Sequence, residues 1–265
     1  MDLGLSGKVV VITGGSAGIG KACALAFAAE GCKLAVCGRG ADKLTAMKRE
    51  FEASRYPLFT STADVSQEQD VERFALEVNK HYGRIDVWLN NAGTYLVKPI
   101  VEMSADEWDD HMRTNLKSVF LGTKAAARYM KPNGGGVILN ASSYAAVIPS
   151  AGTGAYAASK SAILSLTRAT AGELAPFGIR VNAYIPGVIL TELNRERAQK
   201  FGPQLKAQVA QHRLGEPEEI APAVVFLASS AANYVTGTAM EISGGKLAIQ
   251  NPDAPWAWVA AEAKK

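Results

Sequence analysis

The stretch GAYAASKSA, residues 154–162, sets a phenol and a primary amine four positions apart, Tyr156 and Lys160, in a run of small side chains that reads as helix. On an α-helix, positions i and i+4 share a face, so both groups point the same way. A phenol with a pKa of about 10 is poorly poised as a base at neutral pH. An ammonium about 4 to 5 Å away, across an effective dielectric of about 20, favours the phenolate by roughly 3 to 4 kcal/mol, or about two to three pKa units. Such a pair is a proton donor and acceptor tuned towards neutrality. The bland alternative is a tyrosine packed at a helix contact beside a snorkelling lysine, and the remainder of the chain has to decide between them.

A second candidate lies in TGGSAGIGKA, residues 13–22, between a β-branched run and a helical pattern. Gly14, Gly18 and Gly20 follow a GxxxGxG spacing, with Ser16 and Ile19 between them. Glycines let a backbone approach a pyrophosphate, amides at the helix N-terminus donate to it, and the helix dipole favours its charge. The next strand ends in VCGRG, where an NAD-selective protein presents a carboxylate to the ribose hydroxyls. Here Gly38 and Arg39 stand there, with no acid until Asp42. A guanidinium can grip a 2′-phosphate with two bonds, so the sequence favours NADP(H), with NAD(H) still possible.

The elements that must position these groups alternate. Strands are predicted at 8–13, 33–38, 57–62, 86–90, 136–140, 179–184 and 239–243, and helices at 41–54, 67–82, about 104–131, through Tyr156, and from about 217. Continuous apolar strands separated by helices imply an α/β fold, a doubly wound parallel sheet covered by helices on both faces, in a single domain over 1–265. The longest irregular region, from Pro186 to about Leu214, holds helical stretches broken by Gly202 and Pro203. Residues 188–214 are a candidate lid over the site. Beyond the last strand, residues 246–265 form a tail with Trp256 and Trp258, read either as a cover for the pocket or a neighbouring subunit, or as a frayed end.

With 265 residues, 48% of them hydrophobic and 20% charged, the chain can bury one large core. The net charge of +3 has no basic run to track nucleic acid or a membrane surface. The start lacks secretory blocks and no apolar stretch is long enough to span a bilayer, which leads us to expect a cytoplasmic protein. Cys23, Cys32 and Cys37 read as small buried hydrophobes, and His81, His111 and His212 belong to no metal motif, so no metal is assigned.

TGGSAGIG at 13–20, NNAG at 90–93, YAASK at 156–160 and PGVILT at 186–191 occur in that order on the expected scaffold. The chain thereby resembles the short-chain dehydrogenase/reductase family, in its single-domain branch, over about residues 6–245. ADV at 63–65, TNL at 114–116, NASS at 140–143, IRVN at 179–182 and RLGEPEEIA at 213–221 extend the likeness. The resemblance implies that Asp64 and Val65 border the adenine, that Asn90, Ala92 and Gly93 line the adenosine side, and that Pro186, Gly187, Val188, Ile189 and Thr191 wrap the nicotinamide. It implies a tetrad of Asn115, Ser143, Tyr156 and Lys160, with Ser143 holding the substrate oxygen, Lys160 also holding the nicotinamide ribose, and Asn115 anchoring a water. Ser143 is preferred to Ser142 because the family's serine lies thirteen residues before its tyrosine. SGG at 243–245 departs from the family's usual DGG. The resemblance also implies a homotetramer (or homodimer) paired through the helices at about 104–131 and 154–174.

Thr94, Tyr95, Tyr144, Val147, Ile148, Ile189, Leu190, Leu193 and Phe201 are the pocket candidates. Their composition leads us to expect an NADP-dependent oxidoreductase acting on a small-molecule ketone or secondary alcohol with a hydrophobic body. A β-ketoacyl carrier-protein reductase is the alternative within enzymes. A non-catalytic nucleotide-binding or scaffold protein on the same fold is the alternative outside them.

Overall fold

A computed structural model describes residues 2–263. Strand β1 (Val9–Thr13) is a run of β-branched residues buried on both sides, so each residue must find a hydrophobic layer whichever way it points. Val10 and Ile12 join one core, with Phe27, Met47, Phe51, Ile220 and Val224. Val9 and Val11 join the other, with Phe74, Val78, Trp88, Met130 and Leu174. The sheet between them holds β1, β2 (Lys33–Gly38), β3 (Leu58–Thr62), β4 (Val87–Asn90), β5 (Gly136–Ala141), β6 (Ile179–Pro186) and β7 (Ala239–Ile242). Every pairing is parallel and the order is β3-β2-β1-β4-β5-β6-β7. The direction of winding reverses between β1 and β4, so a crevice opens above their carboxyl ends. This is the doubly wound Rossmann-like fold expected from the alternation.

Helices α1 (Gly18–Ala29), α2 (Ala41–Ala53) and α3 (Glu68–Tyr82) fall close to the sequence expectation. The single helix expected at about 104–131 is instead α4 (Ala105–Met112), a π turn over Arg113–Lys117 and α5 (Ser118–Met130). The π turn accommodates an extra residue in the helical winding, and Asn115 in its middle is fully buried. Helix α6 (Gly154–Leu174) carries Tyr156 and Lys160, and α8 (Pro217–Ala228) packs on α1. Among the described residues no helix is long and apolar enough to cross a membrane.

In the irregular region, α7 (Arg195–Lys206) runs through Gly202 and Pro203 with its break at Phe201, where φ is −124° and ψ 23°. Pro203 has no N–H and its ring crowds the preceding turn, which displaces the bend towards its N-terminal side. The tail forms α9 (Ala254–Glu262). It docks on the segment after α7, not on the crevice: Trp256 donates its indole N–H to the Ala210 carbonyl at 3.0 Å and stacks on His212. Trp258 faces solvent.

The structure corrects the reading of Asn90. Its side chain is buried in a relay that ties β4 to β5 and α6: Trp88 Nε1 donates to Asn90 Oδ1 at 2.8 Å, and Asn90 Nδ2 donates to Asn140 Oδ1 at 2.9 Å. Asn140 Nδ2 in turn donates to Thr167 Oγ1 at 3.0 Å. A methyl group built on Gly122 of α5 would lie 2.0 Å from Asn90 Oδ1, so that helix is fitted against the amide. Truncating Asn90 to alanine strands an indole N–H and an amide carbonyl in the core. The expected loss is about 2 to 4 kcal/mol of stability, read from urea unfolding, with dinucleotide affinity of the folded variant retained; weakened dinucleotide binding at unchanged stability would restore Asn90 to the site.

Candidate active site

One cavity of about 660 Å³ follows the carboxyl edge of the sheet from β2 to β6. Its floor is the β1–α1 loop, where Gly14 adopts φ +64° and a methyl group would lie 2.8 Å from Ala92 Cα. Only glycine combines that left-handed conformation with that approach. Ala17 at the α1 N-cap makes no side-chain cap, so the first amides of the helix keep their donors for a ligand. Ser16, Gly18 and Ile19 line this part. Gly20 does not: a methyl group there would lie 2.5 Å from both Asn91 Nδ2 and the Gly14 carbonyl, so its role is close packing beneath the loop. Asn91, not Asn90, reaches the crevice. It donates Nδ2 to the carbonyls of Thr13 and Gly14 at 3.1 Å and accepts from the Tyr184 hydroxyl at 3.0 Å.

Arg39 follows β2 and lines the same cavity, with Gly38, Gly40 and Lys43 around it. Asp64, Val65, Ala92, Gly93, Pro186, Gly187, Val188, Ile189 and Thr191 line it as well. Lys43 is paired with Glu192 at 2.5 Å, tying α2 to the segment before α7. The donor set therefore fits a dinucleotide: a glycine cradle and free helix amides in the centre, and a guanidinium at one end.

At the other end, Ser143, Tyr156 and Lys160 meet. Lys160 is 4% exposed, and its ammonium donates to the Ala141 carbonyl at 2.9 Å. Ser142 also lines the cavity, but its hydroxyl is committed to the Lys160 carbonyl, to which it donates at 3.0 Å. The Ser143 hydroxyl accepts from Ala145 N–H at 3.2 Å and stands by the Tyr156 phenol. Asn115 is beside this group but its side chain does not line the cavity. Its Oδ1 accepts from Thr94 N–H at 2.7 Å and its Nδ2 donates to the Thr94 carbonyl at 3.1 Å, bracing the loop after β4.

The electrostatics differ from the sequence expectation. Burial pushes the Tyr156 phenol up to about 12, with the Ser143 hydrogen bond opposing it, and burial pushes Lys160 down to about 8. The ammonium's hydrogen bond is directed to Ala141, and burial rather than attraction to the ammonium dominates at the phenol. At neutral pH the arrangement holds a protonated phenol beside an ammonium.

The substrate end is less apolar than its sequence candidates. Thr94, Tyr95, Tyr144, Ile189 and Leu193 line the cavity, whereas Val147, Ile148, Leu190 and Phe201 lie off it with their side chains partly in solvent. Two further lining residues, Thr114 and Arg197, were not among the sequence candidates. TNL hinted at the first only through its neighbour, and NRER reads as a solvated charged turn.

A family model described as Enoyl-(Acyl carrier protein) reductase matches residues 14–246. The chain belongs to the short-chain dehydrogenase/reductase family. An NAD-dependent glycerol dehydrogenase of Listeria innocua is 37% identical over 92% of this chain and 95% of the relative. A 3-oxoacyl-(acyl-carrier-protein) reductase FabG of Thermotoga maritima is 36% identical over 91% and 98%. Among solved structures, a short-chain type dehydrogenase/reductase from Mycobacterium marinum superposes with a TM-score of 0.89 at 36% identity, over 92% of this chain and 97% of that one. As a short-chain dehydrogenase/reductase the protein is an oxidoreductase of CH–OH and C=O groups that uses NAD(P)(H).

A buried ammonium is a stability burden. With a folded pKa of about 8 against about 10.5 unfolded, Lys160 binds protons less readily in the native state, which opposes folding by about 3 kcal/mol below pH 8. That penalty fades as pH rises through about 10.5, where both states are neutral. Lys160→Met should therefore be more stable than wild type by about 2 kcal/mol at pH 7, after subtracting about 1 kcal/mol for the bond to Ala141. The gain should disappear near pH 10.5, as read by denaturant unfolding across pH; a variant less stable at pH 7 would contradict it.

Proposed function

We propose that the protein is an NADP(H)-dependent carbonyl reductase or alcohol dehydrogenase, acting through Ser143, Tyr156 and Lys160 on a ketone or secondary alcohol. The observation carrying this is the pairing of ends within one cavity: the Arg39 guanidinium where adenosine would lie, and a phenol, a hydroxyl and an ammonium together where a carbonyl would react. Reduced nicotinamide, when bound, supplies the hydride that goes to the carbonyl carbon.

Tyr156 gives its proton to the carbonyl oxygen as charge develops there, and Ser143 holds that oxygen by a hydrogen bond. A phenol raised to about 12 is kept protonated for this step, and the resulting phenolate is stabilised by the Lys160 ammonium. Asn115 serves as a positioning residue that fixes Thr94 at the pocket wall. Arg39, with no carboxylate beside it in the VCGRG turn, supports selection of the 2′-phosphate. The three free, buried cysteines suit a reducing compartment, and we place the protein in the cytoplasm as a homotetramer that pairs the outer faces of α5 and α6, where Phe120 is exposed.

A second reading, reduction of 3-oxoacyl groups on a carrier protein, is favoured by relatives such as the Thermotoga maritima enzyme. It requires acyl thioesters to outperform free ketones. One steady-state experiment addresses both readings, using NADPH and NADH with ketones, aldehydes and acyl thioesters. We expect kcat/KM at least about tenfold higher with NADPH, and in Tyr156→Phe a kcat lower by several orders of magnitude with NADPH binding retained. A preference for NADH removes Arg39 from its role, and unchanged turnover removes Tyr156. Light scattering is expected to give a mass near four times 28.0 kDa; a monomer would refute the assembly.

A further inference from the structure

Arg197, on the first turn of α7, is half-buried and lines the cavity. Its Nη1 donates to the Tyr95 hydroxyl at 2.6 Å. The Tyr95 ring stands edge-on to Tyr156, with centroids 5.0 Å apart and planes at 89°. One aromatic ring therefore separates the guanidinium from the reacting phenol. On the adjoining wall, Tyr144 lines the cavity next to Ser143; behind it, off the cavity lining, the Lys246 ammonium lies 5.3 Å from its ring centroid and donates to Gln208 Oε1 at 2.7 Å. Burial, and then the charge of Arg197, lowers the pKa of Lys246, so the two cations feel one another.

Among the described residues no carboxylate pairs with either cation. The carboxylates on the cavity are Asp64, after β3 at the far end, and Glu192, which Lys43 engages. No ion pair among the described residues includes Arg197 or Lys246. A guanidinium offers five N–H groups in a planar fork, and one bond to a phenol leaves the fork open. A partly desolvated cation of this kind gains most from an anion that takes two of its donors.

We propose that Arg197 is an anion subsite, with Lys246 adding positive potential from behind the cavity wall, and that the preferred substrate is a carbonyl compound or alcohol bearing a carboxylate or phosphate group. The proposal rests on the assignment of Tyr156 and Ser143 as the reacting end. It replaces a wholly hydrophobic substrate with an amphipathic one, whose middle lies against Tyr95, Tyr144 and Leu193 and whose charged end lies under α7.

The test compares matched pairs that differ in charge: 4-oxopentanoate with its methyl ester, and dihydroxyacetone phosphate with dihydroxyacetone. Binding to the NADP⁺-loaded enzyme is measured by calorimetry and turnover by NADPH oxidation. In at least one pair the charged member should bind about tenfold or more tightly than the neutral one. Preference in the first pair alone identifies a carboxylate, and preference in the second alone a phosphate. Arg197→Met should reduce that charged-to-neutral ratio by about tenfold, and Arg197→Lys should recover part of it. Equal binding of both members in both pairs by wild type overturns the subsite, as does an unaltered ratio in Arg197→Met, which would leave Arg197 as a prop for Tyr95. Charge-dependent binding without any turnover would refute the proposed reaction and leave the subsite standing.

Discussion

The site is organised around the enclosure of one ammonium. Lys160 sits almost wholly out of water with a single strong acceptor, the Ala141 carbonyl. A charge in that position is tolerated only if its surroundings are fixed, because a carbonyl displaced by even an ångström would leave it unpaired. The fold supplies that rigidity from both sides. Ala141 ends a central strand held in register between β4 and β6, and Lys160 rises from the second turn of a 21-residue helix whose preceding loop is pinned by Ser161 to Ala146 and Ser150 to Thr153. Tyr156 then takes its direction from the same helix, one turn away.

The same demand explains the polar residues buried beside the cavity that touch no ligand surface. Asn90, Asn140 and Thr167 join strands to α6 through side-chain bonds, and Asn115 clamps the chain after β4. Each group is satisfied by another, so the network specifies one arrangement of strands and helices without orphaned donors. Apolar side chains of similar size would fill the space but would not fix the direction in which β4 delivers Asn91 and Ala92 to the crevice.

This division marks what the sequence makes legible. The strands could be read because a parallel sheet covered on both faces demands continuous apolar runs, and the glycine loop because its conformations exclude other residues. The placing of Tyr156 and Lys160 on one face follows from helical geometry alone. Asn90 and Asn91 could not be told apart in this way, since the difference is where β4 ends, a matter of one residue. The π turn at Asn115 leaves no periodic trace in so short a segment. Val147, Ile148, Leu190 and Phe201 look like pocket residues by composition, yet composition does not say which side of a loop faces inward. Arg197 was hidden for the converse reason: in NRER it is one charge of several, and only the path of α7 turns it towards Tyr95.

The segment that carries Arg197 is held at both ends by contacts outside the reacting groups. Before α7, Glu192 is tied to Lys43 of α2, and the bonds of Thr191 and Asn194 close the 3₁₀ turn Glu192–Asn194 that leads into the helix. After α7, His212 bonds Asp253 at 2.9 Å and stacks on Trp256, so the tail helix backs the returning chain. Exposed ion pairs of the first kind contribute little stability singly, but they set where a helix starts and how far it can swing. The break at Phe201 separates the first turns of α7, which carry Arg197, from the turn that follows at Gly202 and Pro203. Lys43 lies beside Arg39 on the cavity wall, so the anchor of that first turn adjoins the region assigned to the adenosine phosphate. One short stretch of chain, from Glu192 to Arg197, thus carries both the contact with the cofactor end of the cavity and the guanidinium at its substrate end.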